Sequence, residues 1–150
     1  VKTSMREIVK DVVNSVNFTR GVTCTTPSNQ DVVFDAVPER LVRALANILR
    51  NAMEASPSKG LVIVDAFLTD VGEEVEFRIT DSGPGIPADE REYWFRIGKS
   101  GKDGKENHIG LGLFIARKVI EVEHGGSIMV EDAPKSGAVF RVRIPVEAAK

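Results

Sequence analysis

The sequence predicts an α+β fold with helices on one face of a mixed sheet, and three observations predict it. Candidate strands come in adjacent pairs, not in strict strand–helix–strand alternation, which argues against a doubly wound parallel sheet. Apolar residues repeat with a helical period in three segments, and with a strand period or as short unbroken runs in the others. The chain has 150 residues, 42% hydrophobic and 28% charged, which suits one domain, residues 1–150, around one ordinary core.

The elements follow in order. Residues 4–16 read as a helix: Met5, Ile8, Val9, Val12, Val13 and Val16 keep helical spacing, and Ser4 with Glu7 matches a capping box. Thr19 to Thr26 and Gln30 to Phe34 are β-rich, and Thr26-Pro27-Ser28-Asn29 between them predicts a hairpin turn. Pro38 suits a first helical position, and Leu41, Leu45, Ile48, Leu49 and Ala52 give that helix its apolar stripe up to about Ala55, where Pro57 and Gly60 stop it. Leu61 to Thr69 is a mostly apolar run, predicting a strand buried on both faces. Glu74 to Thr80 alternates, with Val75, Phe77 and Ile79 against Glu76, Arg78 and Thr80, and predicts a half-buried strand reached through a turn at Gly72. Residues 81–110 read as a long polar loop, with a short helix after Pro87. Leu111 to Glu123 reads as a helix, followed by strands Ser127 to Glu131 and Val139 to Ile144 with Arg141 and Arg143 outward.

Composition removes several classes of function. The net charge is −2, from 20 basic and 22 acidic residues, so no basic excess is available to grip nucleic acid. The single cysteine, Cys24, allows no internal disulfide and no cysteine-rich metal site, and reads as a free buried thiol. No run of 18 apolar residues predicts a membrane span. The chain opens on Val1 inside a pattern and without a signal peptide, which predicts a piece of a longer protein, cytoplasmic in location.

Four groups of residues can carry chemistry. Asn47 and Asn51 stand one turn apart on the second helix, off its apolar stripe, with Glu54 extending the same face. Their amide oxygens are acceptable ligands for Mg²⁺ already held by phosphates, although two solvated helix residues would look the same. Asp81-Ser82-Gly83-Pro84-Gly85-Ile86 follows an amphipathic strand. Its glycines let the backbone approach a flat ligand, and its carboxylate can accept from an exocyclic amine such as that of adenine; a plain strand-exit loop is the bland reading. Gly110-Leu111-Gly112-Leu113 leads into a helix, where free N–H groups suit a phosphate. Arg96, Lys99, Lys102 and Lys105 lie on the glycine-rich segment between. They read as a solvated loop or as a lid, with Lys99 the cation singled out and Phe95 its apolar anchor or simply a core residue.

In combination and in this order, these groups resemble the ATP-binding catalytic domain of sensor histidine kinases, within the GHKL superfamily of DNA gyrase B, Hsp90 and the MutL proteins. Asn47-Ile48-Leu49-Arg50-Asn51-Ala52 is similar to the N box, residues 81–86 to the G1 box, Phe95 and its surroundings to the F box, and residues 110–113 to the G2 box. His124-Gly125-Gly126 matches the turn that usually follows. The resemblance covers about residues 30–146. It implies a two-layer α/β sandwich of the Bergerat type with a long ATP lid, and ATP and Mg²⁺ as substrate and cofactor. Asn51 would bind Mg²⁺, with Asn47 and Lys99 assisting at the phosphates. Asp81 would take the adenine amine, and Gly83, Gly85, Ile86, Phe95, Gly110, Leu111, Gly112 and Leu113 would complete the nucleotide site.

Position 47 discriminates within that superfamily. Its ATP-hydrolysing members usually have Glu there as general base; Asn cannot take a proton at neutral pH, which favours transfer to an external acceptor. Neither His108 nor His124 lies in the family's phosphoacceptor motif, so the resemblance implies a partner domain carrying that histidine, a response regulator downstream, and a monomeric isolated domain. Ala55 and His108 depart from residues common at their positions. A serine-directed kinase of the same superfamily and a docking module that no longer uses ATP are the alternatives.

Overall fold

Ser4 closes the first strand, β1 (Lys2–Ser4), and starts the first helix, α1 (Met5–Asn14), in a computed structural model that describes residues 1–18, 21–27, 30–96 and 108–147. Its Oγ accepts the Glu7 N–H at 3.2 Å and donates to Asp31, which also accepts the Arg6 N–H at 3.1 Å. The helix start is therefore satisfied by two side chains. Then follow β2 (Thr23–Thr25), β3 (Val33–Asp35), α2 (Pro38–Ala55), β4 (Leu61–Leu68) and β5 (Glu74–Thr80). A 3₁₀ turn (Ala88–Glu90) leads into α3 (Arg91–Trp94). The helix α4 (His108–Lys118) widens into a π-type turn (Val119–Glu123), and β6 (Ser127–Asp132) and β7 (Ala138–Pro145) close the order.

Five strands form a sheet in the order β2-β4-β5-β7-β6, antiparallel except for the β2–β4 pair, which is parallel. The mixed sheet and its helical layer agree with the α+β expectation. Val62, Val64, Ala66, Val75, Phe77, Ile79, Phe140, Val142 and Ile144 are buried, and with Met5, Ile8 and Val12 of α1 and Leu41, Leu45, Ile48 and Leu49 of α2 they form one continuous core. Burying each large side chain contributes about 1.5–3 kcal/mol. No helix among the described residues is long and apolar enough to cross a membrane.

Three expectations need correction. The hairpin over residues 19–34 does not form: β3 pairs with β1, Thr3 opposite Phe34, and β2 lies parallel to β4, Cys24 opposite Val62. Local β-propensity marked both strands but carried no information on partners, and β1 fell at the edge of what reads as a helix. The half-buried Cys24 thiol is pushed up to about 11 by burial. Second, β4 is buried on one face only, since Ile63, Asp65 and Phe67 keep partial exposure. Third, α4 begins at His108, three residues before the expected start, so the Gly110–Gly112 stretch lies inside its first turns.

The outer face of the sheet carries a buried carboxylate under a roof of arginines. Glu76 points outward on β5 but is 1% exposed. It is roofed by Arg78 at 2.8 Å from its own strand, and by Arg141 at 3.1 Å and Arg143 at 2.8 Å from β7. Arg78 also lies 4.8 Å over the Phe67 ring, and Arg141 pairs with Glu131 on β6. Burial pushes the Glu76 carboxyl up, but the bonds and charge of Arg143 and Arg78 outweigh it and hold it below the usual range. Its stabilisation is therefore present above the unfolded value near 4.3 and is lost as pH falls through the lower folded value. Glu76→Gln should destabilise by about 2–3 kcal/mol at pH 7, the low end for a broken buried pair because the arginines are partly solvated. Urea melts at pH 7 and about pH 3.5 check this: the difference from the parent should shrink in acid, and an equal difference at both would refute the charge argument.

Candidate active site

At the end of β5 the chain turns out of the sheet at Asp81, which is 5% exposed. Its Oδ1 accepts the N–H of Gly83 at 2.9 Å and of Ala138 at 3.0 Å. Both bonds fall on one oxygen, so among the described residues Oδ2 is left with acceptor capacity. Burial pushes the Asp81 carboxyl up, and the two N–H bonds pull it back only in part. The loop beyond is held against the end of α2. A Cβ at Gly83 would lie 2.3 Å from the Ala55 carbonyl oxygen, so only glycine fits there. Ser56, buried, donates to the Ala52 carbonyl at 3.0 Å and accepts the Ser82 N–H at 3.2 Å. Gly85 takes a left-handed backbone, φ +82°, beside Gly137.

Helix α2 runs from this loop to α4. Asn51 is 7% exposed, and Asn47, one turn earlier, is half-buried. The Asn47 amide is held at both ends: Arg50 donates to its Oδ1 at 2.9 Å, and its Nδ2 donates to the Gly112 carbonyl at 3.4 Å. A Cβ at Gly112 would meet the Asn47 side chain at 3.4 Å, an ordinary van der Waals contact, so the two helices pass close together there. The N–H groups of the first turn of α4, residues 108–110, have no acceptor within the helix and favour an anion there. At the opposite end of the helix pair, His124 Nε2 accepts the Val37 N–H at 3.1 Å and Nδ1 faces the Val119 carbonyl at 2.9 Å. Arg40 pairs with Glu123 beside it.

The loop of the buried acceptor thus packs against the end of α2 through Gly83 and Ala55, and α4 packs against α2 through Gly112 and Asn47. The profile of the family described as "Histidine kinase-, DNA gyrase B-, and HSP90-like ATPase" matches residues 36–148. The chain belongs to this family. It is 35% identical over 131 residues to the adaptive-response sensory kinase SasA of Synechococcus sp. (strain CC9311), covering 85% of this chain and 33% of that protein. It is 33% identical over 108 residues to the sensor protein KdpD of Escherichia coli (strain K12), covering 71% of this chain and 12% of that one. The chain therefore spans a third or less of these relatives. Among solved structures, the mycobacterial sensor histidine kinase MprB superposes with a TM-score of 0.86 at 28% identity, covering 99% of this chain and all of that one. The catalytic domain of histidine kinase ThkA superposes with a TM-score of 0.81 at 28% identity, covering 99% of each chain. The fold is that of a histidine-kinase catalytic domain.

Within this histidine-kinase fold the expected site residues separate into groups. Asn47, Asn51, Asp81, Gly83, Gly85 and Gly112 lie along α2 and its two neighbours, with Gly110 in the first turn of α4. Ile86 is buried, and its carbonyl accepts Arg91 at 3.0 Å. Leu113 has no exposure and belongs to the core. Phe95 is also core: its ring meets Phe140 edge-on at 6.4 Å, with Arg117 5.4 Å above it. Lys99, Lys102 and Lys105 lie outside the described residues, and the side chain of Leu111 does too. Gly137 was missed. At φ +98°, a Cβ there would lie 2.2 Å from the Asp81 carbonyl oxygen and 2.6 Å from Oδ1. The Lys135-Ser136-Gly137 turn signal was legible, but not what the turn rests on. Among the described residues no cluster of three acidic, histidine or cysteine side chains can hold a metal.

Proposed function

We propose that this domain binds ATP with Mg²⁺ between α2, the Asp81 loop and the first turn of α4, and transfers the γ-phosphoryl group to a histidine on a separate dimerisation and phosphoacceptor domain. The observation that carries the reading is the Asp81 carboxylate, with Oδ1 saturated by two backbone N–H groups and Oδ2 left for the adenine amine. Gly83, Gly85 and Ile86 shape the base pocket. Asn51 contributes its amide oxygen to the metal, and the first turn of α4, with Gly110, Leu111 and Gly112, meets the phosphates. Lys99 is assigned to the same phosphates. Bound Mg²⁺ neutralises phosphate charge. The acceptor's ring nitrogen forms an N–P bond to the γ-phosphorus as the bond to the bridging oxygen breaks and ADP leaves. The amide at Asn47 supports a protein acceptor over water, because it takes no proton.

Residues 1–150 make one monomeric domain of a longer cytoplasmic sensor protein, a reading supported by the single continuous core and by the share of its relatives that the chain spans. A response regulator is the onward acceptor, as supported by the likeness to histidine kinase ThkA in complex with response regulator protein TrrA, TM-score 0.75 at 26% identity. No feature of the described residues favours a serine acceptor or a site without ATP.

Calorimetric titration with a non-hydrolysable ATP analogue tests the binding. Saturable binding strengthened by Mg²⁺ is expected; no binding by the folded protein at millimolar nucleotide would reject it. Adding the parent's phosphoacceptor domain with ATP should give an acid-labile phosphate, and an acid-stable one would reject histidine as acceptor. Asn51→Ala should leave metal-free affinity within about threefold and remove most of the enhancement by Mg²⁺. An equal loss with and without metal would remove Asn51 from the metal site.

A further inference from the structure

We propose that Arg91 is a positioning residue for nucleotide binding: by bridging the Ile86 carbonyl and Asp132, it ties the Asp81 loop to the β6–β7 turn and holds the two walls of the base pocket together. The proposal rests on the ATP-binding reading above. Two pieces of chain meet at Asp81. One is its own loop, which donates the Gly83 N–H to Oδ1 at 2.9 Å; the other is the β6–β7 turn, which ends in the Ala138 N–H, 3.0 Å from the same oxygen. The turn is closed by the Ala133 N–H on the Gly137 carbonyl at 3.0 Å. The loop lies directly on it, since a Cβ at Gly85 would stand 3.1 Å from the Gly137 carbonyl oxygen and 4.0 Å from Asp132 Oδ1.

Arg91 opens α3, just beyond this loop. Its Nε donates to the Ile86 carbonyl at 3.0 Å and its Nη2 to Asp132 Oδ1 at 2.8 Å. One planar guanidinium makes both bonds from donors fixed relative to each other, so loop and turn part only when one of them breaks. The Arg91 side chain is 24% exposed and that of Asp132 81%. A pair this solvated contributes little to global stability. Its effect falls on the local opening of the two segments it joins. When they part, the Ala138 N–H moves away from Oδ1, and the Asp81 carboxylate loses one of the two bonds that aim it. A ligand must then order the pocket as it binds, which weakens affinity. Both bonds of Arg91 lie on the base side of the site, so the effect is independent of the metal.

The test is calorimetric titration with a non-hydrolysable ATP analogue, with and without Mg²⁺, on the parent, Arg91→Met, Asp132→Ala and the double variant, each checked by a thermal melt. Met keeps the packed stem of Arg91 and removes both donors. Arg91→Met should bind about three- to tenfold more weakly, by the same factor with and without Mg²⁺. Asp132→Ala should lose about threefold or more, and the double variant should stay within about twofold of Arg91→Met, because either change breaks the same tie. Glu92→Gln is the control. It also removes an exposed ion pair of α3, with Arg117 at 2.8 Å, but that pair leads to α4 and not to the loop. Its affinity should stay within about twofold of the parent. Binding by Asp132→Ala as tight as the parent's would overturn the proposal. So would losses that multiply in the double variant, a loss seen only with Mg²⁺, or an equal loss in Glu92→Gln. Asp132→Ala, on the surface, carries the test alone if Arg91→Met does not fold. A folded parent that binds no nucleotide would instead overturn the ATP reading, and the proposal with it.

Discussion

Asp81→Asn is expected to abolish measurable nucleotide binding while leaving the fold at least as stable as the parent. The Oδ1 of the new amide keeps the two N–H bonds from Gly83 and Ala138. The amide cannot flip, since its NH₂ would then meet those two donors. Its Nδ2 therefore replaces Oδ2 and turns a donor toward the ligand's amine. Losing a charge-assisted bond and burying an unmatched donor together weaken binding by about 3 kcal/mol or more, at least a hundredfold. Stability follows the opposite logic. Burial raises the Asp81 carboxyl, so the ionised form is disfavoured in the folded state. That penalty is complete above the raised value and is relieved as pH falls toward the unfolded value near 3.9. The advantage of Asn should be full at neutral pH and fade in acid. The parent's nucleotide affinity should itself weaken as pH falls through the raised value. Calorimetric titration with thermal melts at two pH values measures both effects. Binding within a few-fold of the parent would remove Asp81 as amine acceptor, and a collapse of the fold would make the carboxylate structural.

Gly137→Ala should damage both stability and binding, although the residue lies on a turn remote in sequence from every motif. An alanine Cβ there would meet the Asp81 carbonyl oxygen at 2.2 Å and Oδ1 at 2.6 Å, on a backbone at φ +98°. Strain and overlap with backbone together are worth about 3 kcal/mol or more. That corresponds to a melting point lower by about 6–12 °C for a domain of this size. Relief requires the β6–β7 turn or Asp81 to move, so affinity falls even where the protein stays folded. Gly125→Ala is the control: it has a similar backbone, φ +64°, but nothing within 4 Å of a Cβ. It should destabilise by only about 1 kcal/mol and leave affinity unchanged. Equal effects of the two substitutions would show that strain alone matters, and Gly137 would lose its link to the site.

The arginine roof over Glu76 and the pairing of β2 and β3 mark where reading along the chain stops. Alternation placed Glu76 outward correctly, but its burial depends on Arg141 and Arg143, which arrive from a strand more than sixty residues away. Apolar residues on both sides of β4 predicted full burial, whereas Phe67 is covered by the guanidinium of Arg78 and not by a second layer. By contrast, the limits of α2 were legible, because Pro38 suits a first turn and Pro57 cannot continue a helix. β5 was legible because strict alternation admits one reading.

The sequence by itself determined the helices, the long strands and the chemical groups, Asn47, Asn51, Asp81 and the glycines, because local periodicity and side-chain chemistry are properties of neighbours along the chain. Only the tertiary structure decided which strands pair, which asparagine is tied by Arg50 to Gly112, and that Gly137 presses on Asp81. Those facts depend on distances between residues far apart in sequence, which no local pattern encodes.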